Sequence, residues 1–368
     1  MCDFLPGRRA ENHTQTGAVG VGLSRTGANL CGVPPGPIPF EQFMERTLYG
    51  PDGFYVRADG GAAGRRGDFL TSPEVGPLFG AVIGRYLDRE WDRLGQPDPF
   101  TVVDAGAGPG TLARAVIAAA PRCAPAMRYV AVEISARQRA RHPEGVTSTD
   151  ELPSERFDGV IVANELLDNL PFRLIVFDAG WREAFVDIDR SGLATERLSA
   201  PLDPVPAVLP TNAPHGARAP LVDRAARWVD DARGRLGRGS LVVFDYGVPR
   251  TAELAARPWR EWLRTYRGNE RGAHYLLAPG EQDITIDVPF DQLAAPDSVR
   301  TQAQFLQLHG IDELVEEGRR FWEEHAARPG LDAMRMRSRI SEAEALLDPT
   351  GLGAFVVAEW RGTSQFEC

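Results

Sequence analysis

A glycine-rich loop is the first feature of the sequence that could bind a ligand. Gly106, Gly108 and Gly110 alternate within VVDAGAGPGTLARAV (102–116), between an apolar run typical of a buried strand and an alanine-rich run typical of a helix. Glycine lets the backbone turn sharply and approach a ligand closely, so the loop predicts a nucleotide-like group at a helix start. The dinucleotide fingerprint is G-x-G-x-x-G, whereas here Thr111 stands at the third glycine position. The loop alone therefore leaves the ligand open.

Two acids end the next predicted strands. Glu133 ends YVAVEI, where a carboxylate can accept both hydroxyl groups of a ribose, whether the ligand is NAD or S-adenosylmethionine. A solvated or helix-capping carboxylate is the alternative. Asp150, in TSTDEL, stands where a side chain can bond an adenine amino group. The absence of the third fingerprint glycine favours S-adenosylmethionine over NAD. The amino-acid part of S-adenosylmethionine also needs nearby backbone groups and an acid to bind it, and Asp104 is such an acid.

The segment NELLDNLP (164–171) places Asn164, Glu165 and Asp168 directly after a very apolar strand. Class I methyltransferases commonly have substrate-orienting polar groups there, because the reactive methyl group projects over that strand end. The leucines of the segment would partly desolvate the acids, which favours a functional role. The alternative is an ordinary helix cap by Asn164 with two exposed acids.

A second polar cluster, RRGDFLTSPEV (65–75), is typical of a helix start. Ser72 is predicted as the N-cap, with Pro73 at the first helical position and Glu74 in the first turn, so the cluster by itself indicates no chemistry. No metal site is predicted, because none of the six histidines is paired at ligand spacing and the four cysteines form no C-x-x-C.

The predicted elements would bring these strand ends together. TVVDAG, RYVAVEI, FDGVIVANE and SLVVFDYG alternate with helical or turn-rich segments, which predicts a parallel sheet covered on both faces. Ligands bind at the carboxyl ends of such strands, where Asp245 also falls. An amphipathic helix is predicted over PLFGAVIGRYLDREWDRLG (77–95), and a β-hairpin over RLIVF and EAFVDI with its turn at 178–180.

Five segments are predicted along the chain. They are a disordered tail at 1–33, an N-terminal helical segment at 34–98, a core at 99–250 with a hairpin insertion at about 172–220, cap elements at 251–345, and the terminal core strand at 346–368.

Composition excludes several function classes. A formal charge of -10 argues against a nucleic-acid-coating surface, and the 368 residues include no lysine, which excludes Schiff-base chemistry. No apolar run approaches the ~20 residues that span a bilayer, so no membrane span is predicted. The scattered cysteines predict a reducing, cytoplasmic setting.

Several blocks in this order resemble the MidA-type family of S-adenosylmethionine-dependent methyltransferases, over about residues 36–360. They are PFEQFMERTLYGPDGFY, GDFLTSPEVGPLFGAVIGRYLDREW, the glycine loop, VANELLDNLPF, VVFDYG, GEQDITIDVPFDQL, TQAQFLQLHGI and LLDPTGLGAFVV. The family includes the mitochondrial assembly factor that methylates an arginine of a respiratory complex I subunit. The resemblance implies a Rossmann-like class I fold with a seven-stranded sheet, an antiparallel last strand and helical insertions.

The residue patterns and the resemblance together predict residue roles; Asp150 and Asp245 are predicted from their strand-end positions alone. The cofactor would be bound by Asp104, Gly106, Gly108, Gly110, Glu133, Asp150 and Asn164. The substrate or cofactor pocket would include Asp68, Thr71, Ser72, Pro73, Glu74 and Asp245. For an arginine acceptor, Glu165 and Asp168 are the predicted catalytic acids, because two carboxylates can bind a guanidinium by bidentate bonds.

Alternatives remain open on the sequence. A small-molecule O- or N-methyltransferase would use the same cofactor domain, and an assembly factor could keep the cofactor without turnover. A nicotinamide dehydrogenase is the weakest, because the third fingerprint glycine is absent. The predicted partner is a protein, with a respiratory-complex subunit as one candidate, or a small molecule. No nucleic acid is expected, and a homodimer is left open.

Overall fold

The computed structural model describes residues 36–57, 71–189, 193–267 and 270–362. The predicted tail at 1–33 and the predicted pocket residue Asp68 lie outside these ranges. The strands are β1 (Ile38–Pro39), β2 (Phe100–Ala105), β3 (Met127–Val132), β4 (Thr147–Thr149), β5 (Phe157–Asn164), β6 (Arg173–Phe177), β7 (Trp181–Ile188), β8 (Ala194–Pro201), β9 (Arg218–Leu221), β10 (Leu236–Asp245), β11 (Gly247–Val248), β12 (Leu263–Arg267), β13 (Glu270–Arg271), β14 (Asp283–Ile286), β15 (Val288–Pro289), β16 (Ser298–Thr301) and β17 (Val356–Arg361).

The helices alternate with the core strands in the way the sequence predicts. They are α1 (Phe40–Tyr49), α2 (Ser72–Val75), α3 (Pro77–Arg93), α4 (Thr111–Ala119), α5 (Ala136–Arg139), α6 (Asp223–Arg235), α7 (Thr251–Ala256), α8 (Trp259–Trp262), α9 (Gln302–Leu308), α10 (Ile311–His325) and α11 (Leu331–Leu347), with 3₁₀ turns at Leu167–Asn169, Phe290–Gln292 and Leu352–Ala354. The amphipathic pattern over 77–95 is confirmed by α3, whose apolar side is buried.

A seven-stranded sheet has the order β16-β17-β10-β5-β2-β3-β4. The strands β10, β5, β2, β3 and β4 are parallel neighbours, while β17 runs antiparallel to both β10 and β16. The predicted class I fold with its antiparallel last strand is therefore confirmed. The order reverses between β2 and β5, so a crevice forms at the carboxyl ends of these two strands.

Alternation along β5 gives the sheet two buried faces. Val160 and Val162 pack with the apolar sides of α3 and α4, whereas Ile161 and Ala163 pack with α1 and α6. Helices therefore cover both faces of these strands.

A second sheet has the order β1-β7-β6-β9, with β8 also paired to β7. The predicted hairpin is confirmed, since β6 and β7 pair antiparallel with Phe177 opposite Trp181. The predicted insertion at about 172–220 contains β6 to β9, and the division into five segments stays a prediction.

The start of α2 differs from the prediction in two respects: the N-cap residue is another one, and Pro73 is the second residue of the helix, not the first. Thr71, not Ser72, is the N-cap residue, and no side chain caps this helix. The Ser72 hydroxyl is buried and donates to Gln302 Oε1 at 2.9 Å. A long-range partner, which the local pattern does not reveal, therefore takes the hydroxyl that was expected to cap.

Within the described ranges, no helix combines the length and apolarity that crossing a bilayer requires.

Candidate active site

A cavity of about 590 Å³ opens at the carboxyl ends of the core strands. Its volume lies within the range of small-molecule sites. Residues of the glycine-loop region, defined as 104–111, 133–135 and 150–152, line one part. Residues of the acid region line another; this region is defined as 164–171 with Tyr49 and Tyr55, together with the side chains that contact them from behind the cavity, Asp245, Tyr246, Asp283 and Thr285. Helix α6 adds one face, formed by Arg224, Trp228, Asp231 and Arg235.

The glycine loop turns through left-handed backbone. Gly106, Gly108 and Gly110 have φ values of 72°, 52° and 80°, which side-chain-bearing residues rarely adopt. A Cβ at Gly108 would meet no protein atom within 4 Å, so this glycine leaves room inside the cavity. Gly110 does not line the cavity: it is the N-cap of α4, and a Cβ there would lie 3.0 Å from Pro143.

Glu133 is held beside the loop by backbone donors. Its two carboxylate oxygens accept from the N–H groups of Gly108 at 3.0 Å and Ser135 at 2.8 Å. Burial raises the pKa of Glu133, and these two hydrogen bonds oppose the shift. The arrangement fixes the carboxylate at the end of β3, where it lines the cavity.

Asp104 and Asp150 lie in different environments within the same region. Asp104 is buried and accepts from the Tyr129 hydroxyl at 3.1 Å, and burial raises its pKa to about 7. Asp150 has a 63% exposed side chain, 3.7 Å from Arg139 Nη2. Both line the cavity, as the sequence predicts for strand ends.

An adenosyl ligand fits the glycine-loop region. Gly108 provides a space that any side chain would fill, and the buried Asn164 Oδ1 has no hydrogen-bond partner in the described part of the chain. An unpaired buried acceptor is costly, so this oxygen is suited to a ligand donor. The residues that would hold the ligand are Asp104, Gly106, Gly108, Glu133, Asp150 and Asn164.

Glu165 places a carboxylate at the end of β5. Its φ of 51° is unusual for a residue with a side chain, and its N–H donates to the Phe244 carbonyl at 2.8 Å. Asn164 Nδ2 donates to Glu165 Oε1 at 3.1 Å, and the Ser72 backbone also bonds to this carboxylate. Burial raises the pKa of Glu165 to about 8, with a contribution from the charge of Asp168.

Asp168 and Asp245 lie behind the cavity lining. Asp168 is only 2% exposed, and its Oδ2 accepts from Thr285 Oγ1 at 2.5 Å and from the Tyr246 hydroxyl. Asp245 accepts from the backbone N–H groups of Leu167 at 2.9 Å and Asp168 at 3.3 Å. Burial raises the pKa of both acids. Of the two predicted catalytic acids, Glu165 therefore reaches the cavity and Asp168 does not.

The TSPE segment joins the glycine loop. Thr71, Pro73 and Glu74 line the cavity, and Glu74 Oε1 accepts from Thr111 Oγ1 at 2.5 Å. Thr111, which replaces the third fingerprint glycine, thus connects two motifs that are far apart in sequence. Ser72 does not line this cavity, but its backbone N–H donates a hydrogen bond to the Glu165 carboxylate.

Sequence reasoning from the residues missed one group of side chains in the acid region. Tyr49 and Tyr55 line the cavity, while Asn169, Asp283 and Thr285 lie at or behind it. The only signal was that Tyr49, Tyr55, Asp283 and Thr285 lie in blocks of the family resemblance to which no role was attached. Among the described residues, no three His, Cys, Asp or Glu side chains are arranged to hold a metal ion.

Comparison with known proteins gives one family and several relatives. Residues 82–309 match the family model Methyltransf_28, S-adenosyl-L-methionine-dependent methyltransferases. Protein arginine methyltransferase NDUFAF7 homolog, mitochondrial, of Drosophila melanogaster is 29% identical over 299 residues, 69% of this chain and 65% of the fly protein. The Mus musculus protein arginine methyltransferase NDUFAF7, mitochondrial, is 27% identical over 324 residues, 75% and 72% of the two chains. The chain thus spans less than two thirds of the fly relative.

A solved structure has the same fold with a ligand present. It is a COG1565 superfamily member of Burkholderia thailandensis bound to S-adenosyl-homocysteine, with a TM-score of 0.73, 28% identity, and coverage of 90% of this chain and 89% of that one. The predicted cofactor, S-adenosylmethionine, is confirmed by the family and by this structure. The predicted cytoplasmic location is wrong, since the fly and mouse relatives are named mitochondrial.

Proposed function

Because the chain belongs to the Methyltransf_28 family and is an S-adenosylmethionine-dependent methyltransferase, we propose that its acceptor is an arginine side chain of a protein. When bound, S-adenosylmethionine supplies an electrophilic methyl group on its sulfonium. Relatives that are 27% to 29% identical are named protein arginine methyltransferases, which supports this acceptor. A respiratory-complex subunit is the first protein class to test.

The observation that carries the proposal is the position of Glu165. Its carboxylate lines the same cavity as the glycine loop, and Asn164 and the Ser72 backbone orient it. A guanidinium is a planar cation with N–H groups that match a carboxylate, so Glu165 is suited to hold one beside the cofactor region. Positioning of this kind supplies much of the rate in transfer reactions that need an in-line approach.

Glu165 can also accept a proton. The transferred methyl group replaces one guanidinium hydrogen, so the reaction releases one proton for each methyl group added. With its pKa raised to about 8, the Glu165 carboxylate is a stronger base than an ordinary glutamate. In the proposed reaction Glu165 is the catalytic residue, because it touches the acceptor.

Asp168 is a positioning residue in this proposal. It is the middle residue of the turn at Leu167–Asn169 and is buried against Thr285 and Tyr246. Its negative charge contributes to the raised pKa of Glu165. Asp245 holds the same turn through the backbone of Leu167 and Asp168. Asp245 therefore fixes the turn that follows Glu165, and Asp168 influences the pKa of the Glu165 carboxyl.

The test supplies purified protein and isotope-labelled S-adenosylmethionine to cell lysate, followed by mass spectrometry of the labelled products. We expect label on arginine of a protein, about 100-fold less turnover for Glu165→Gln, and unchanged S-adenosylhomocysteine affinity in that variant. Glu151→Gln is the matched control, because Glu151 also lines the cavity but has an exposed carboxylate. Asp168→Asn should lower kcat with little change in KM.

Other results would redirect the assignment. Label only in the small-molecule fraction would identify a metabolite acceptor. Cofactor binding by calorimetry without any labelled product would indicate an assembly factor without turnover. Near-normal turnover of Glu165→Gln, with its fold intact, would remove Glu165 from the mechanism.

A further inference from the structure

Two tyrosines form an aromatic surface of the cavity. The rings of Tyr49 and Tyr55 are nearly parallel, at 17°, with centroids 5.6 Å apart. Both side chains are half-buried and line the cavity together with Glu165. The two rings stack on each other and Tyr55 also contacts the Phe54 ring, with centroids 5.1 Å apart, so the part of each ring that lines the cavity is presented to a ligand that also contacts Glu165.

Hydrogen bonds of the Tyr55 backbone and of both tyrosine hydroxyl groups hold the tyrosine pair in place. The Tyr55 N–H donates to the Leu48 carbonyl at 3.0 Å, which ties the loop after α1 back to that helix. The Tyr49 hydroxyl donates to the Asn169 carbonyl at 3.0 Å, and the Tyr55 hydroxyl to Asp283 Oδ1 at 2.9 Å. Asn169 Nδ2 also donates to Asp283, at 3.1 Å. Rigid rings lose little entropy when they bind a ligand, so they can discriminate by shape.

The charges around the tyrosine pair favour a cation. Burial raises the pKa of both phenols, and Asp283 and Asp168 raise them further, so both hydroxyls stay protonated donors. Two arginines whose charges reach this region are each paired with an acid: Arg224, which acts on Tyr49, with Glu41 at 2.6 Å, and Arg264, which acts on Asp168, with Asp287 at 2.7 Å. Their charges are therefore largely compensated, so they oppose a bound cation less than unpaired arginines would, and the ring surfaces that line the cavity can attract a positive group.

We propose that the tyrosine pair selects the acceptor by stacking against the planar guanidinium of arginine while Glu165 binds its N–H groups. This proposal rests on the function proposed above and adds a specificity determinant to it. A guanidinium is flat, delocalised and weakly hydrated, so it stacks on an aromatic ring better than a lysine ammonium does. The pair would thus distinguish arginine from lysine, which a carboxylate alone does poorly.

The experiment measures binding of ethylguanidinium and ethylammonium to the protein saturated with S-adenosylhomocysteine, by ligand-observed NMR. We expect the wild type to prefer ethylguanidinium, and Tyr49→Leu to bind it about 3- to 30-fold more weakly. Tyr49→Phe keeps the ring and should lose less than about threefold, since it gives up only the hydrogen bond to Asn169. Tyr266→Leu is the control, a half-buried tyrosine of β12 that does not line the cavity.

The outcomes separate this proposal from the proposed function. Equal ethylguanidinium affinity in Tyr49→Leu and the wild type overturns the tyrosine pair, and so does a wild type without preference for ethylguanidinium. A loss of S-adenosylhomocysteine affinity in Tyr49→Leu as large as the loss of ethylguanidinium affinity also overturns it, because the ring would then serve the cofactor. A lysate assay that labels no arginine overturns the proposed function, even where the guanidinium preference is present.

Discussion

The glycine-loop region and the acid region share one cavity but are built by different means. The glycine-loop region is shaped mainly by the backbone, through three glycines with positive φ, the start of α4, and two N–H groups that hold Glu133. The acid region is held together mainly by side chains, through a hydrogen-bond network of carboxylates, hydroxyls and one amide. The first is suited to a fixed ligand and the second to a charged acceptor.

The difference also appears in how each region treats buried charge. Glu133 is buried, yet two backbone donors compensate its carboxylate. Burial raises the pKa of Glu165 to about 8 although Asn164 and the Ser72 backbone bond to its carboxylate, and the charge of Asp168 adds to this rise. Buried acids that raise one another's pKa favour a bound cation, because the cation recovers part of the electrostatic cost of burying them. We therefore expect the two regions to respond differently to mutation and to pH.

Replacement of a loop glycine should give the largest effect. In Gly108→Val the new side chain occupies the cavity, so we expect S-adenosylhomocysteine affinity to fall by at least about 100-fold in calorimetry. Gly216→Val is the matched control: Gly216 also has a positive φ, of 77°, and a Cβ there meets nothing within 4 Å, but it lies outside the cavity. Both variants should lose about 1–2 kcal/mol of stability from backbone strain. Equal affinity loss in both would show that strain, not occupied space, is responsible.

The same contrast explains what the sequence could predict. The glycine loop, Glu133 and Glu165 are each encoded within a few residues of a strand end, and the period and turn residues locate that end. The parallel core sheet follows from the same pattern. These parts of the fold and site were predictable because the physical cause is local.

The contacts of the acid region join residues that are far apart in the sequence. Tyr49 and Asn169, which share a hydrogen bond, are 120 residues apart, and Tyr55 and Asp283 are 228 apart. Ser72 was predicted to cap a helix, but Gln302, 230 residues away, takes its hydroxyl. No periodicity reports such pairs, since they are brought together only when several elements pack. For the same reason the sequence could not show that Asp168 is buried and does not line the cavity.

The pH dependence of methylation should show a smaller effect, which we assign to Glu165 in the acid region; Asp104 in the glycine-loop region, with a pKa of about 7, ionises at lower pH. Because burial raises the pKa of Glu165 to about 8, the free enzyme holds this carboxyl protonated at neutral pH, and the ionised form that binds a cation appears as the pH rises. We expect kcat/KM to increase about tenfold between about pH 7 and pH 9, and the affinity for S-adenosylhomocysteine to change less. Glu165→Gln should remove the increase, while Glu151→Gln keeps it. An increase that persists in Glu165→Gln would assign the titration to another group.

The smallest effect is expected at Asp150, and it tests how far the backbone dominates the glycine-loop region. The Asp150 side chain is 63% exposed, and its nearest cation, Arg139, is 3.7 Å away, so solvent screens its charge. Asp150→Asn keeps an acceptor for an adenine amino group, and we expect S-adenosylhomocysteine affinity to fall only about two- to fivefold. Glu133→Gln, which alters a buried carboxylate held by Gly108 and Ser135, should cost about tenfold or more in the same calorimetric series. If Asp150→Asn costs as much as Glu133→Gln, an exposed side chain contributes as much as the buried one, and the contrast between a backbone-built and a side-chain-built region fails.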